Sequence, residues 1–212
     1  MAELIPAIIA KNFKEVKDMV SRVEGRVKWV HVDVMDGKFV PNITWNNPSD
    51  LEKYKPDVFF EAHLMISEPE KDVEKWIDAG IKRIIFHFEA TSSHHEIIQI
   101  CREKKTEVAI AINPETDIEV LNPFDELVNM VLFLGVSPGF GGQKFKPSVV
   151  RKIRALHARN PHLTISVDGG MNPQTAKKAV DAGASVVVAG SYIYQSGNVE
   201  KAIDEMKEAI NF

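Results

Sequence analysis

Four side chains stand out for the chemistry they could do together: His31, Asp33, His63 and Asp168. His31 and Asp33 lie two apart in an apolar run at 29–34, so an extended chain turns both to one face and Val30, Val32 and Val34 to the other. His63 closes a similar run at 58–64, and Asp168 follows another at 164–167, just before Gly169 and Gly170. Unpaired carboxylates are costly to bury, and a divalent cation offsets that cost. Two imidazoles with two carboxylates suit one zinc ion, with Fe(II), Mn or Co as alternatives. Asp33 and Asp168 have a second use as acid/base groups. Two carboxylates flanking one carbon can invert a stereocentre, one removing a proton and the other returning one to the opposite face. A neighbouring carbonyl polarised by the metal would hold the charge as an enolate. The chemistry expected is proton transfer next to a carbonyl.

Three glycine-rich segments suggest how such a substrate is held. They are Gly139-Phe140-Gly141-Gly142, Gly169-Gly170 and Gly190-Ser191. Glycines let backbone N–H groups come close to a phosphate. The first segment matches neither a Walker A loop nor a dinucleotide fingerprint, which argues against a nucleotide fold. Met35 and Met65 are suited to cover the reacting carbons with soft apolar surface. The chain carries 26 basic and 30 acidic side chains, a net charge of -4, so no basic footprint for nucleic acid or an anionic membrane is expected. An anionic substrate must therefore be captured by backbone amides. One thiol, Cys101, suits a reducing compartment. The amino terminus makes a poor signal peptide, and no apolar stretch is long enough to span a bilayer. A cytoplasmic protein is expected.

These groups need a frame. Apolar β-branched runs at 4–9, 29–34, 58–64, 83–88, 107–112, 129–134, 164–167 and 185–189 predict strands. Amphipathic patterns at 13–22, 48–53, 69–78, 93–104, 118–127, 147–159, 173–181 and 199–210 predict helices between them. Ser67 with Glu70 predicts a capping box, and Asn172 before Pro173 predicts a capped helix start. Ala79-Gly80 and Ala182-Gly183 predict helix stops. Eight alternating pairs fit either an open doubly wound sheet or a closed (β/α)₈ barrel. The count and the unbroken spacing favour one barrel domain over 1–212, with its active site at the carboxyl ends of the strands. His31, Asp33, His63 and Asp168 then converge on one mouth. Glu89, after the fourth strand, falls at the catalytic face and equally suits a solvated loop or helix-capping role, Cys101 reads as a small core residue, and His94, His95, His157 and His162 as surface residues.

The motifs HVDVMDGKFVPN (31–42), AHLMISEPE (62–70), HFEAT (87–91), AINPET (111–116), SPGFGGQKF (137–145), VDGGMN (167–172) and AGS (189–191) resemble the ribulose-phosphate 3-epimerases across nearly the whole chain. The resemblance implies interconversion of D-ribulose 5-phosphate and D-xylulose 5-phosphate. It also implies metal ligation by His31, Asp33, His63 and Asp168, acid/base roles for Asp33 and Asp168, and a homo-oligomer, dimer or hexamer. By the same resemblance, Gly139, Phe140, Gly141, Gly142, Gly169, Gly170, Gly190 and Ser191 contact substrate and phosphate. Some positions depart from the family pattern: Ala7 and Ala10 replace serines, Leu134 replaces a methionine, Gly135 replaces a hydroxyl residue, and segment 44–48 differs. They leave open a ketohexose 6-phosphate such as allulose 6-phosphate, or a catalytically idle sugar-phosphate binder. A decarboxylase or aldolase fits less well, because the 33–36 segment lacks the lysine of an Asp-x-Lys-x-x-Asp site.

Overall fold

The computed structural model describes residues 1–211. Its strands are β1 Glu3–Ile8, β2 Trp29–Met35, β3 Phe59–Met65, β4 Arg83–His87, β5 Glu107–Ile112, β6 Met130–Leu134, β7 Thr164–Asp168 and β8 Val186–Ala189. They pair in parallel and in chain order until β8 returns to β1, which closes the barrel. The helices are α1 Phe13–Ser21, α2 Val73–Asp78, α3 His94–Glu103, α4 Ser148–Arg159, α5 Pro173–Asp181, α6 Ser191–Tyr194 and α7 Val199–Ile210.

Strand alternation divides the apolar residues into two cores. One face of β2 sends Val30, Val32 and Val34 into the layer beneath the helices, with Trp76 and Cys101 among its buried members. The other face fills the barrel. There Ile5, Ile85, Ala109, Leu132 and Val188 form an apolar plug that excludes water below the mouth. The expected Asn172 cap is present and forms a reciprocal pair with Thr175, while Pro173 takes the first helical position. Ala79 and Ala182 end α2 and α5, as the Ala-Gly pairs predict. Among the described residues no helix is long and apolar enough to cross a membrane.

Several expected elements are shorter. The 48–53 and 118–127 patterns give only 3-10 turns, Pro48–Leu51 and Ile118–Leu121. In the second case Pro123 has no N–H to extend the helix. The 69–78 pattern splits into the 3-10 turn Pro69–Lys71 and α2. The Ser67–Glu70 capping box does not form, because the Ser67 N–H donates to Asp36 Oδ2 instead. The short helix α6 has no counterpart in the sequence reading.

Candidate active site

The register between β2 and β3 builds the centre. It sets His31 beside Glu61 and Asp33 beside His63, all four on the interior face. On β7, Asp168 lies beside Leu134 of β6 and Val188 of β8. One ligand atom from each of His31, Asp33, His63 and Asp168 lies within 4.8 Å of the others. His31 Nε2 faces His63 Nδ1 at 3.1 Å, and His63 Nδ1 lies 2.9 Å from Asp33 Oδ1. Both imidazoles are fully buried. The four expected residues are thus brought together.

Above them opens a cleft at the carboxyl ends of the strands. It is lined by Asp33, Asp168, Met35, Met65 and the expected Gly139, Phe140, Gly141, Gly142, Gly169, Gly170, Gly190 and Ser191. Ala7 and Leu134 also face it, whereas segment 44–48 lines no part of it. That segment braces the site from behind. Thr44 Oγ1 donates to the Asp33 carbonyl at 2.7 Å and accepts from the Met35 N–H at 2.9 Å. The glycine loop after β6 is pinned at its ends. Asn42 Nδ2 donates to the Gly139 carbonyl, and the Gln143 amide donates to the Ser137 and Phe140 carbonyls. Gly170 has φ +70°, and a Cβ there would lie 2.7 Å from the Phe145 nitrogen. Only glycine gives both that turn and that close approach.

Around the centre runs a polar shell that the strand alternation could have revealed. Glu61 is two residues before His63, and Arg83 and His87 share the interior face of β4. His31 Nδ1 lies 2.6 Å from Glu61 Oε1, and Arg83 Nη1 donates to Glu61 Oε2 at 2.5 Å. His63 Nε2 lies 3.0 Å from His87 Nε2, and His87 Nδ1 lies 3.2 Å from Glu89 Oε2. Glu89 also accepts from the Asn113 N–H and from the Thr116 hydroxyl, so this exposed residue at the rim of the catalytic face is held in place as an acceptor. His94 is not simply on the surface: its ring stacks on Phe88.

Electrostatics follow from this packing. Burial favours neutral Asp33, but hydrogen bonds with His31 and His63 outweigh it and hold the carboxyl well below its usual range. Burial pushes Asp168 up to about 7, helped by the negative charge of Asp33. Burial works against a charged His31 ring, yet its bonds with Asp33 and Glu61 raise it well above the usual histidine value. Burial lowers His63 to about 4, with the neighbouring His31 and His87 rings pushing the same way. Glu89, despite partial burial of its side chain, falls to about 2 through its bonds with His87 and Thr116. The centre is thus crowded with carboxylates and imidazoles that share protons. Two carboxylates and two ring nitrogens so close together are a donor set that fits a divalent first-row ion, which would replace those shared protons. Met35 and Met65, at 1% and 3% exposure, close the apolar side of the cleft.

The sequence matches the model of the "Ribulose-phosphate 3 epimerase family" over residues 3–194. It is 38% identical to the ribulose-phosphate 3-epimerase of Schizosaccharomyces pombe over 99% of this chain and 94% of that protein. It is also 38% identical to the Bacillus subtilis enzyme of the same name, over 98% of this chain and 99% of that one. Among solved structures, 3-hexulose-6-phosphate synthase from Salmonella typhimurium superposes with a TM-score of 0.76 at 16% identity, covering 98% of each chain. That likeness speaks for the barrel fold alone.

Proposed function

The chain belongs to the ribulose-phosphate 3-epimerase family, and from that premise we propose which residues carry the isomerase reaction. Asp33 and Asp168 are the two acid/base groups. One carboxylate takes the C3 proton of ribulose 5-phosphate, and the C–H electron pair moves into the C2 carbonyl to give an enediolate. The other carboxyl group delivers a proton to the opposite face of C3, giving xylulose 5-phosphate, and the roles exchange in the reverse direction. The observation that carries this reading is the convergence of the two carboxylates, from strands on different sides of the barrel, on one glycine-lined cleft. His31, Asp33, His63 and Asp168 would hold a divalent ion, zinc as the first choice, which supplies Lewis-acid stabilisation to the oxyanion beside C3. Met35 and Met65 keep water from the carbanionic carbon. The loops at 139–142, 169–170 and 190–191 hold the phosphate by backbone N–H groups.

The test is exchange in deuterium oxide. The protein should place deuterium at C3 of ribulose 5-phosphate, and Asp33→Asn and Asp168→Asn should each abolish interconversion. Normal turnover by either variant would refute the two-base scheme. Elemental analysis and chelation test the ion separately: full activity in protein free of first-row metal would remove it from the reading.

A further inference from the structure

The geometry points to Glu61, braced by Arg83, as a positioning residue that fixes which nitrogen of His31 faces the metal site. The inference rests on the metal reading above. His31 presents two ring nitrogens to two different surroundings. Nε2 faces the cluster, 3.1 Å from His63 Nδ1 and 3.3 Å from Asp33 Oδ1. Nδ1 faces away from it and meets Glu61 Oε1 at 2.6 Å. A ring nitrogen that binds a cation must present a lone pair, so the remaining ring proton belongs on Nδ1.

What makes that the only arrangement is the donor count behind Glu61. Arg83 offers N–H groups and accepts none. Its Nη1 occupies Glu61 Oε2 at 2.5 Å, while its Nε donates to Glu107 Oε2 at 2.7 Å and its guanidinium lies 4.4 Å from the Trp29 ring centre. Glu61 is fully buried, so water does not compete for its oxygens. Glu61 therefore meets His31 as an acceptor, and only Nδ1–H satisfies it. A carboxylate serves both neighbours at once because both of its oxygens accept. An amide cannot. In Glu61→Gln the amide oxygen must turn to Arg83, which leaves the NH₂ facing Nδ1. The ring then carries its proton on Nε2, the nitrogen that faces the cluster.

Zinc affinity, read by chelator competition, tests this in four proteins. Glu61→Gln should weaken zinc binding by about 10- to 100-fold, the range for a lost partner of a ligating histidine. Removing the brace as well, in Glu61→Gln with Arg83→Met, frees the amide to rotate its oxygen to Nδ1 and should restore most of that loss. Glu107→Gln changes the charge around Arg83 by the same one unit without touching His31, and its affinity should stay within about twofold of the parent. The proposal is overturned if Glu61→Gln binds zinc like the parent, if the double variant shows no recovery, or if Glu107→Gln weakens binding as much as Glu61→Gln. A check independent of any variant's folding uses the parent loaded with zinc and ¹⁵N-labelled at histidine. His31 should carry its proton on Nδ1, and a proton on Nε2 overturns the assignment. A parent that binds no zinc overturns this inference together with the metal reading, whereas a parent that binds and a Glu61→Gln that binds equally well overturns this inference alone.

Discussion

Gly135, the residue after β6, offers a demanding test of how tightly the site is built. Its N–H donates to the Asp168 carbonyl at 2.6 Å, and its own carbonyl accepts from the Lys146 N–H at 2.7 Å. A Cβ at this position would lie 2.4 Å from the Gly169 carbonyl oxygen and 2.5 and 2.8 Å from two carbons of the Phe145 ring. Ordinary contact begins near 3.4 Å, so Gly135→Ala asks the Gly169 carbonyl to retreat by about 1 Å, the difference between those distances. The ring can tilt, but a backbone carbonyl moves only with its chain, and the preceding residue in that chain is Asp168. Overpacking on this scale costs about 1–3 kcal/mol, and a misplacement of about 1 Å at a reacting group costs up to roughly 100-fold in rate. Gly135→Ala should therefore lose about 1–3 kcal/mol in urea unfolding. It should also lose about 10- to 100-fold in kcat for xylulose 5-phosphate formation, with KM changing less. Adding Phe145→Leu should return part of the stability and little of the kcat, since it removes the ring contact and leaves the carbonyl contact. Wild-type kcat and stability in Gly135→Ala would refute the reasoning. A stability loss with unchanged kcat would refute the link to Asp168.

Three further outcomes follow from single residues. Ala7 lines the cleft beside Asp33 and Asp168 where the family pattern has a hydroxyl; Ala7→Ser should add one substrate hydrogen bond, about 0.5–1.5 kcal/mol, and raise kcat/KM by about two- to tenfold. An unchanged kcat/KM would show that the hydroxyl does not reach substrate. Burial pushes the Cys101 thiol up to about 12, against 9.0 for a free thiol. Between those values the unfolded chain has lost this proton and the folded chain keeps it, so stability falls as pH rises, by about 2 kcal/mol at a pH near 10.5. Cys101→Ala should flatten that decline in urea midpoints taken from pH 8 upward, and equal slopes in the two proteins would contradict it. Ser166 is fully buried inside the barrel, and its Oγ has no hydrogen-bond partner. Ser166→Ala should stabilise the protein by about 1 kcal/mol, since an unmet buried hydroxyl costs about 1–3; a lower urea midpoint would show that the hydroxyl is bonded after all.

The fold was legible because period-two alternation and period-3.6 amphipathicity alternate without interruption, and a count of eight unbroken units favours a closed barrel over the open doubly wound sheet that the spacing alone also fits. The mouth was legible for the same reason. His31 with Asp33, and Asp168 before two glycines, occupy positions that a barrel must send to its carboxyl face. What lay hidden depended on register. That Glu61 touches His31 rather than only preceding His63 is decided by how β2 slides against β3, and alternation within one strand carries no information about its neighbour. The hold on Glu89 lay hidden too, because its partners Asn113 and Thr116 come from beyond the next strand in the chain. The short 118–121 and 48–51 turns were over-read as helices because their apolar spacing is helical while Pro123 and the 44–48 bracing segment limit their length.

The distribution of charge explains why an acidic chain can handle an anionic sugar phosphate without a cationic clamp. The cleft lining contains neither lysine nor arginine. In the proposed site the two carboxylates already share one divalent ion, and a lysine or arginine in the lining would compete with that ion for them. Backbone N–H groups avoid that conflict, since they satisfy phosphate oxygens as dipoles and add no net charge to the proton-transfer site. The one arginine near the centre, Arg83, sits at the start of β4 on the far side of His31 from the cleft, and its charge is taken up by Glu61 and Glu107. The barrel therefore divides its labour by strand. β2 and β3, steadied by β4, supply the titratable centre, and β6 to β8 supply glycine amides. Of the two proposed acid/base residues, Asp168 is the one that comes from the amide half. Its position is set by the backbone proposed to hold the phosphate, since the Gly135 N–H donates to its carbonyl, so any change that loosens the 135–145 loop should act on proton transfer as well as on binding.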